Sequence, residues 1–466
     1  MTRTFQPGEQ KVRPGTYFRI SNIGDPPFLA GAVGIAATIV QSNWGPLGEV
    51  IDLEGSNEIT SKIGLTGVNV LSEVFRGGAR EIKAIRVGSG GTRAELVLKD
   101  GNEEDVIRLS TKYPTSRQFR LIIRDVLGDA DKRECLVYEE MQERERLVFT
   151  TDNQIEAFVD VINKESVFFD AEKMSDGDGT LESIFNSLVD GGADPQVTGE
   201  DYVIAEEILE TVDWNILITD SADASIHATI HSYIDRLRNE GKRVMAVVGE
   251  PTEISLSQRL TNSASYNFPG VLYVANGFET ARGPVEGVNA AARVAGMILG
   301  SNYNSSITHA IVTGAADLIG PLTNQQIIDA INAGAIVFSR NALGQIQVEY
   351  GITTFISPND ELDAGWSKIR RVRTRDTLIE RVLRSTDPLV GQINNDDDGR
   401  ATIVSIVNGI IQQMTNENGL LGGECYVDPS QQPVGDSSWF VIEVDDVDSM
   451  EKVYFTFGFR YSPATN

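Results

Sequence analysis

The strongest constraint on this chain is a repeated alternation of short apolar runs of strand length with amphipathic stretches of helical length. Trp214–Thr219 (WNILIT), Arg243–Val248 (RVMAVV) and Val271–Ala275 (VLYVA) are runs of the first kind. Ala222–Arg238, Ile254–Leu260 and Val285–Leu299 are stretches of the second. Strands so short and apolar are buried, and the helices between them supply covering layers, which predicts an α/β layered core. The same alternation runs from Phe28 to about Ala94, with one strand inside Phe28–Val40 and another at Ile82–Val87 (IKAIRV). The core is therefore expected in two pieces, 28–94 and 201–360.

Between those pieces the texture changes. Arg120–Arg124 and Glu134–Glu139 are strand-like, a single helical run lies near Asn153–Asn163, and 95–200 holds 25 acidic against 12 basic side chains. An inserted, outward-facing α+β domain accounts for this most simply. A C-terminal α+β domain is expected over 361–450, with helices from Lys368 to about Arg384 and at Ala401–Met414, and a strand at Trp439–Val444. The formal charge of −27 excludes a general nucleic-acid coat or a basic membrane-surface protein. Cys135 and Cys425 lie far apart and form no disulfide framework or metal knuckle. The longest apolar run, Phe28–Val40, is shorter than the ~20 residues of a membrane span, and Met1–Arg19 has no apolar signal core. Folding in the cytosol is expected.

Catalytic motifs fail on their spacing. Gly88-Ser89-Gly90-Gly91-Thr92-Arg93 lacks the last glycine of a dinucleotide loop, and no GxSxG elbow occurs. His227 and His231 stand four apart, but Ala228 occupies the position where a zinc protease carries its glutamate. Asn394–Gly399 (NNDDDG) resembles a calcium loop, yet Ser405 falls where a bidentate glutamate is required; capping of the next helix by Asp398 is the better reading. No cofactor, metal or catalytic residue is assigned. Lys368, Arg370, Arg371, Arg373 and Arg375 form a basic strip that reads as a solvated helix start or as a docking strip for an acidic protein surface.

The two ends are unusual. Thr16-Tyr17-Phe18-Arg19-Ile20 is a lone alternating segment, fenced from the core by Pro26-Pro27, and has the form of an arm over 1–27. In the last stretch, 451–466, Val453, Phe455, Phe457, Phe459 and Tyr461 share one strand face by period-two alternation. A strand so aromatic recruits other strands if left bare. From the residues alone, pairing of each terminus within its own domain is the simplest expectation. The net charges of +3 over 1–24 and −3 over 441–466 nevertheless suit the two ends to each other.

Several motifs then occur together in order: Pro14-Gly15-Thr16-Tyr17, Thr111-Lys112-Tyr113-Pro114, Gly191-Gly192-Ala193-Asp194, Val197–Tyr202 (VTGEDY), Asn394–Arg400 and Asp448–Lys452 (DSMEK). This set resembles the contractile tail sheath proteins of myophages and phage-tail-like bacteriocins of the Gram-positive type, over nearly the whole chain. The resemblance implies a structural subunit rather than an enzyme. It implies stacked hexameric rings around an inner tube, with baseplate and tail terminator proteins at the ends and no direct nucleic-acid or membrane contact. It implies terminal arms that add strands to neighbouring subunits, the basic strip facing the tube, and contraction that drives the tube through a cell envelope. Assembly in the bacterial cytoplasm and a mature place in a tail or released particle go with it. A non-contractile tube or surface-layer polymer, and an α/β enzyme whose site converges from distant residues, are the competing classes.

The peripheral placement of the insertion makes a first prediction. Replacing residues 95–200 with a short Gly/Ser linker is expected to leave polymer formation intact by electron microscopy, and loss of polymer with a folded core would refute the placement.

Overall fold

A computed structural model describes residues 34–360 and 362–460. The arm residues Thr16, Tyr17, Phe18, Arg19 and Ile20, and Tyr461 at the other end, lie outside the described residues.

Seven strands form the central sheet, in the order Ala335–Ile336, Val271–Val274, Met245–Gly249, Ile216–Thr219, Ile35–Val40, Glu81–Arg86, Val50–Leu53. All neighbours are parallel except the last pair, where Val50–Leu53 runs antiparallel to Glu81–Arg86. Strands from both sides of the 95–200 segment thus share one sheet, and Ile35–Val40 pairs directly with Ile216–Thr219. Apolar residues leave on both faces, as a sheet covered by helices requires. One face carries Asn69–Gly77 and Val288–Leu299; the other carries Gly199–Leu209 and Ala224–Asn239.

The helix Val288–Leu299 is almost wholly buried, and small residues let it lie close to its neighbour. A Cβ on Gly296 would stand 2.1 Å from the Val74 carbonyl oxygen, and one on Gly77 would stand 2.6 Å from that of Arg293. The same crossing buries Arg293 against Glu73 at 2.5 Å, with its guanidinium over the Phe278 ring and an N–H donated to the Thr313 carbonyl.

The 95–200 segment builds its own layers. A four-stranded antiparallel sheet orders Ile184–Val189, Phe119–Val126, Asp129–Glu139 and Gln142–Thr150. A three-stranded one orders Glu95–Lys99, Asp105–Thr111 and Phe169–Lys173, and the helix Gln154–Glu165 packs against both. Its two connections to the core pair with each other through bridges at Ser89–Gln196, Thr92–Ala193 and Glu95–Asp190. They form a hydrogen-bonded neck.

One core residue reaches into this unit. Trp44 is fully buried among Tyr113, Phe119 and Phe168, at ring separations of 5.2, 5.8 and 5.4 Å. Arg117 lies 5.0 Å from the Trp44 ring and makes a buried bidentate pair with Glu139 at 2.7 and 2.8 Å. Arg86 donates to the carbonyls of Ser42, Gly45 and Pro114, so a buried cation ties the 95–200 segment to the end of the central sheet.

Two local expectations shift. The helix after Asn394–Arg400 is Asp397–Asn416, starting earlier than expected, and its cap is Asp396 rather than Asp398: the Asp396 carboxylate accepts from Gly399 N at 2.9 Å. The strand face expected from Val453 onward has, over its described part to Arg460, no ladder partner among the described residues, whereas Leu420–Val427 pairs with Phe440–Asp446.

Trp44→Ala should remove the ring on which Arg117 and three aromatic rings rest. A cost of about 3–5 kcal/mol is expected for an aromatic truncation of this kind. Hydrogen exchange should show it as early loss of protection in Phe119–Val126, ahead of the strand Met245–Gly249.

Candidate assembly surface

The helix Ile369–Thr386 begins directly after Lys368 and presents every member of the basic strip. Its charges are engaged within the chain. Arg373 donates to Ser301 and to the carbonyls of Ser301 and Asn302, and Arg370 donates to the Asn304 carbonyl at 2.6 Å. Those carbonyls follow the C-terminal end of Val288–Leu299, where the helix dipole favours cations. Burial pushes the Arg373 guanidinium down to about 10, which still leaves it charged at neutral pH. Asp376, one turn on, makes a two-pronged buried pair with Arg238 of the core at 2.7 and 2.8 Å.

The remaining cations hold the tail. Arg371 and Arg375 both pair with Asp446, Arg375 also with Asp363, and Lys368 pairs with Asp448 and Glu451 at 2.6 and 2.9 Å. Three of the five cations therefore meet four carboxylates of the same chain, and the other two, Arg370 and Arg373, bond carbonyl and hydroxyl oxygens. Burial alone would raise the Asp446 carboxyl; hydrogen bonding from Arg371 and the charges of Arg375 and Arg371 outweigh it and hold the group below its ordinary value. The stabilisation from Asp446 is accordingly complete above the ordinary carboxylate range and is lost as pH falls through the lowered folded value. Within the subunit the basic strip forms a clasp that joins the core, the C-terminal helices and the tail.

Past the clasp the chain is bare. From Val453 to Phe459 the exposures of Val453, Phe455, Phe457 and Phe459 are 56, 77, 76 and 93 %. The rings of Phe455 and Phe457 lie 6.2 Å apart, tilted, and those of Phe457 and Phe459 stack at 6.5 Å, so the sequence alternation survives as an aromatic row with no ladder partner among the described residues. Nearby, Leu420–Val427 and Phe440–Asp446 make a two-stranded sheet whose outer edges have no ladder partner among the described residues. Between this hairpin and the helices lies a groove of about 350 Å³ with an apolar wall that includes Val382, Ile403, Val407, Phe440 and Ile442.

The chemistry-bearing residues weighed from sequence do other work. His227 is fully buried with Nε2 2.8 Å from the Ser221 carbonyl oxygen, and His231 packs edge-on against Tyr266 and Phe268. In open parallel sheets a ligand crevice forms at the carboxyl ends where strand order reverses, here between Ile35–Val40 and Ile216–Thr219. That place is occupied by the chain itself. Asp220 accepts from Gln41 N at 2.6 Å and from Tyr202 at 2.9 Å, and Gly67 sits so close that a Cβ would lie 1.8 Å from the Gln41 carbonyl oxygen. Burial pushes the Asp220 carboxyl up to about 6.

Residues 195–354 match the phage tail sheath protein central domain, and residues 361–460 match the phage tail sheath C-terminal domain. The chain belongs to the phage tail sheath family. A relative, protein XkdK of the phage-like element PBSX in Bacillus subtilis, is 21 % identical, with 97 % of this chain and 98 % of that protein covered. The crystal structure of a sheath tail protein from Desulfitobacterium hafniense has the same fold, with a TM-score of 0.73 at 21 % identity over 93 % of this chain and 100 % of that one. The PVC sheath of an extracellular contractile injection system, solved in its contracted state, shares the fold at a TM-score of 0.56 and 10 % identity, over 97 % and 98 % of the two chains. This chain is accordingly a tail sheath protein.

Asp376→Ala strands Arg238 in the interior. Removing one partner of such a buried pair should cost about 3–5 kcal/mol, read as a lower urea midpoint. Exposed Arg236, which pairs with Glu240 at 3.2 Å, serves as a control, with at most ~1 kcal/mol expected for Arg236→Ala.

Proposed function

We propose that the subunit polymerises as stacked hexameric rings around an inner tube and contracts to drive that tube through a target envelope. Energy is held in a metastable packing of subunits and released by repacking. The observation that carries this reading is the presence in one subunit of an exposed aromatic row, Val453–Phe459, and of a hairpin whose two edges have no ladder partner among the described residues. A strand donated to a different copy is a heterologous contact, and repetition of such a contact gives rings or open helices. The hairpin is acidic, with Glu424, Glu443 and Asp445 on its strands besides the clasped Asp446, which suits the +3 segment over 1–24 from another copy. The groove beside it, with its apolar wall, is the place proposed for phenylalanine side chains from a second arm.

Arms of this kind let domain cores slide while the subunits stay linked. Each added strand contributes net hydrogen bonds of only ~0.5–1.5 kcal/mol apiece, and burial of each large apolar side chain adds about 1.5–3 kcal/mol. One arm is modest; an arm on every subunit is decisive. With the basic strip engaged inside its own chain, tube contact in this reading falls to other surfaces of the subunit, while the partners remain the tube, baseplate and terminator proteins of a tail or bacteriocin particle.

Deletion of Met1–Asn22, and separately the triple substitution Phe455→Ser, Phe457→Ser and Phe459→Ser, should each give a folded subunit that builds no sheath. The three rings are solvent-exposed in the free chain, so circular dichroism and thermal melting should hardly change. Electron microscopy decides the rest. Two sheath lengths in the parent support contraction, one length supports a static polymer, and normal contractile sheath from either variant would sink strand donation.

A further inference from the structure

The bare row does not begin at the edge of the hairpin. Between Asp446, the last residue of the strand Phe440–Asp446, and Val453 the chain crosses to the basic helix and is fastened there. Asp446 takes Arg371 and Arg375, Asp448 takes Lys368, Ser449 accepts from Arg370 at 3.0 Å, and Val447 N donates to the Gly419 carbonyl at 3.1 Å. Glu451 closes the series. Its side chain is about nine-tenths buried, paired with Lys368, and accepts from Ser306 and Thr308 at 3.1 and 3.0 Å. Ser306 and Thr308 belong to the core loop after Val288–Leu299, and Thr308 Oγ1 also accepts from Gly351 N at 3.1 Å. Only two residues later, at Val453, the chain is more than half exposed.

We infer that residues 446–451 are the mechanical root of the C-terminal arm, a clamp that couples the arm to the α/β core and confines its motion to the residues after Glu451. The load path follows from the contacts. A pull on the row Val453–Phe459 reaches Glu451, passes to Lys368 and to the Ser306–Thr308 loop, and continues through Arg370 and Arg373 to the loop at the end of the buried helix Val288–Leu299. The hairpin meets the same helix at Asp446, which pairs with Leu420 in the ladder and with Arg371 and Arg375, so the outgoing arm and the hairpin strands are rooted on one element.

The structural part of this inference concerns the free subunit, and only its role in force transfer rests on the sheath reading. Met450 is 85 % exposed inside the root and Phe457 is 76 % exposed beyond it, so each can carry a nitroxide after substitution by cysteine; Cys135 and Cys425 are buried. On the free subunit, the label at Met450→Cys should tumble several-fold more slowly than the label at Phe457→Cys. Adding Glu451→Ala, or Lys368→Met as a second way of opening the clamp, should bring the label at position 450 close to the mobility at 457 in subunits that circular dichroism shows to be folded, with a lower melting temperature for Lys368→Met because Glu451 then stays buried without its cation. Equal mobility at the two positions in the otherwise parental chain would overturn the root, whether or not the clamp variants fold. An unchanged slow label in folded clamp variants would overturn it as well. If the root is rigid and the Glu451→Ala subunit still builds sheath that shortens like the parent, the force-transfer role is overturned while the sheath reading stands. Sheath that assembles but no longer shortens as a unit is the expected result.

Discussion

Everything C-terminal to the central sheet depends on a dense set of ionic contacts around one helix. Ile369–Thr386 carries charged side chains on several faces, and each face meets a different part of the chain: Arg373 the loop after Val288–Leu299, Asp376 the buried Arg238, and Arg371 the tail. Such contacts are directional and costly to leave half-made, since an unpaired charge at these depths loses solvation without recovering it. They fix how the C-terminal helices and the tail sit on the core. A hydrophobic seam alone would allow sliding; bidentate guanidinium–carboxylate pairs specify an angle as well as a distance.

The insertion is joined by a different device. Its neck is two paired strands, and its core is completed by Trp44 from the central unit, with Arg117 and Glu139 held at the seam. The joint is apolar and aromatic with one enclosed ion pair. The fate of residues 95–200 is therefore coupled to the core even though their sheets are separate, and excision of the segment leaves Trp44 needing cover. Close helix packing does the corresponding work at the centre, where Gly77 and Gly296 permit an approach that any side chain would prevent.

Much of the scaffold was legible because buried strands and amphipathic helices leave short-range periodicities. Trp214–Thr219, Arg243–Val248 and Val271–Ala275 correspond to observed strands within a few residues, and Val285–Leu299 to a helix. The cap on Asp397–Asn416 was misplaced because three consecutive aspartates can each serve, and backbone geometry selects Asp396. The strand Leu420–Val427 escaped notice because its two glycines and mixed polarity hide the alternation, and it becomes a strand by pairing with Phe440–Asp446.

The sequence by itself determined the α/β alternation, the acidic insertion, the aromatic period of Val453–Phe459 and, through its ordered motifs, the sheath family. Those are local signals, written in spacing and residue type. Only the tertiary structure decided what the basic strip does. A run of cations looks the same in sequence whether it awaits a partner or is already neutralised, and the answer here lies about 70–80 positions away in Asp446, Asp448 and Ser449. The aromatic row was likewise visible as a pattern, but its exposure was not: whether a strand face is covered depends on what the folded chain brings beside it. The fold brings a clamp to Glu451 and nothing among the described residues to the rings beyond it.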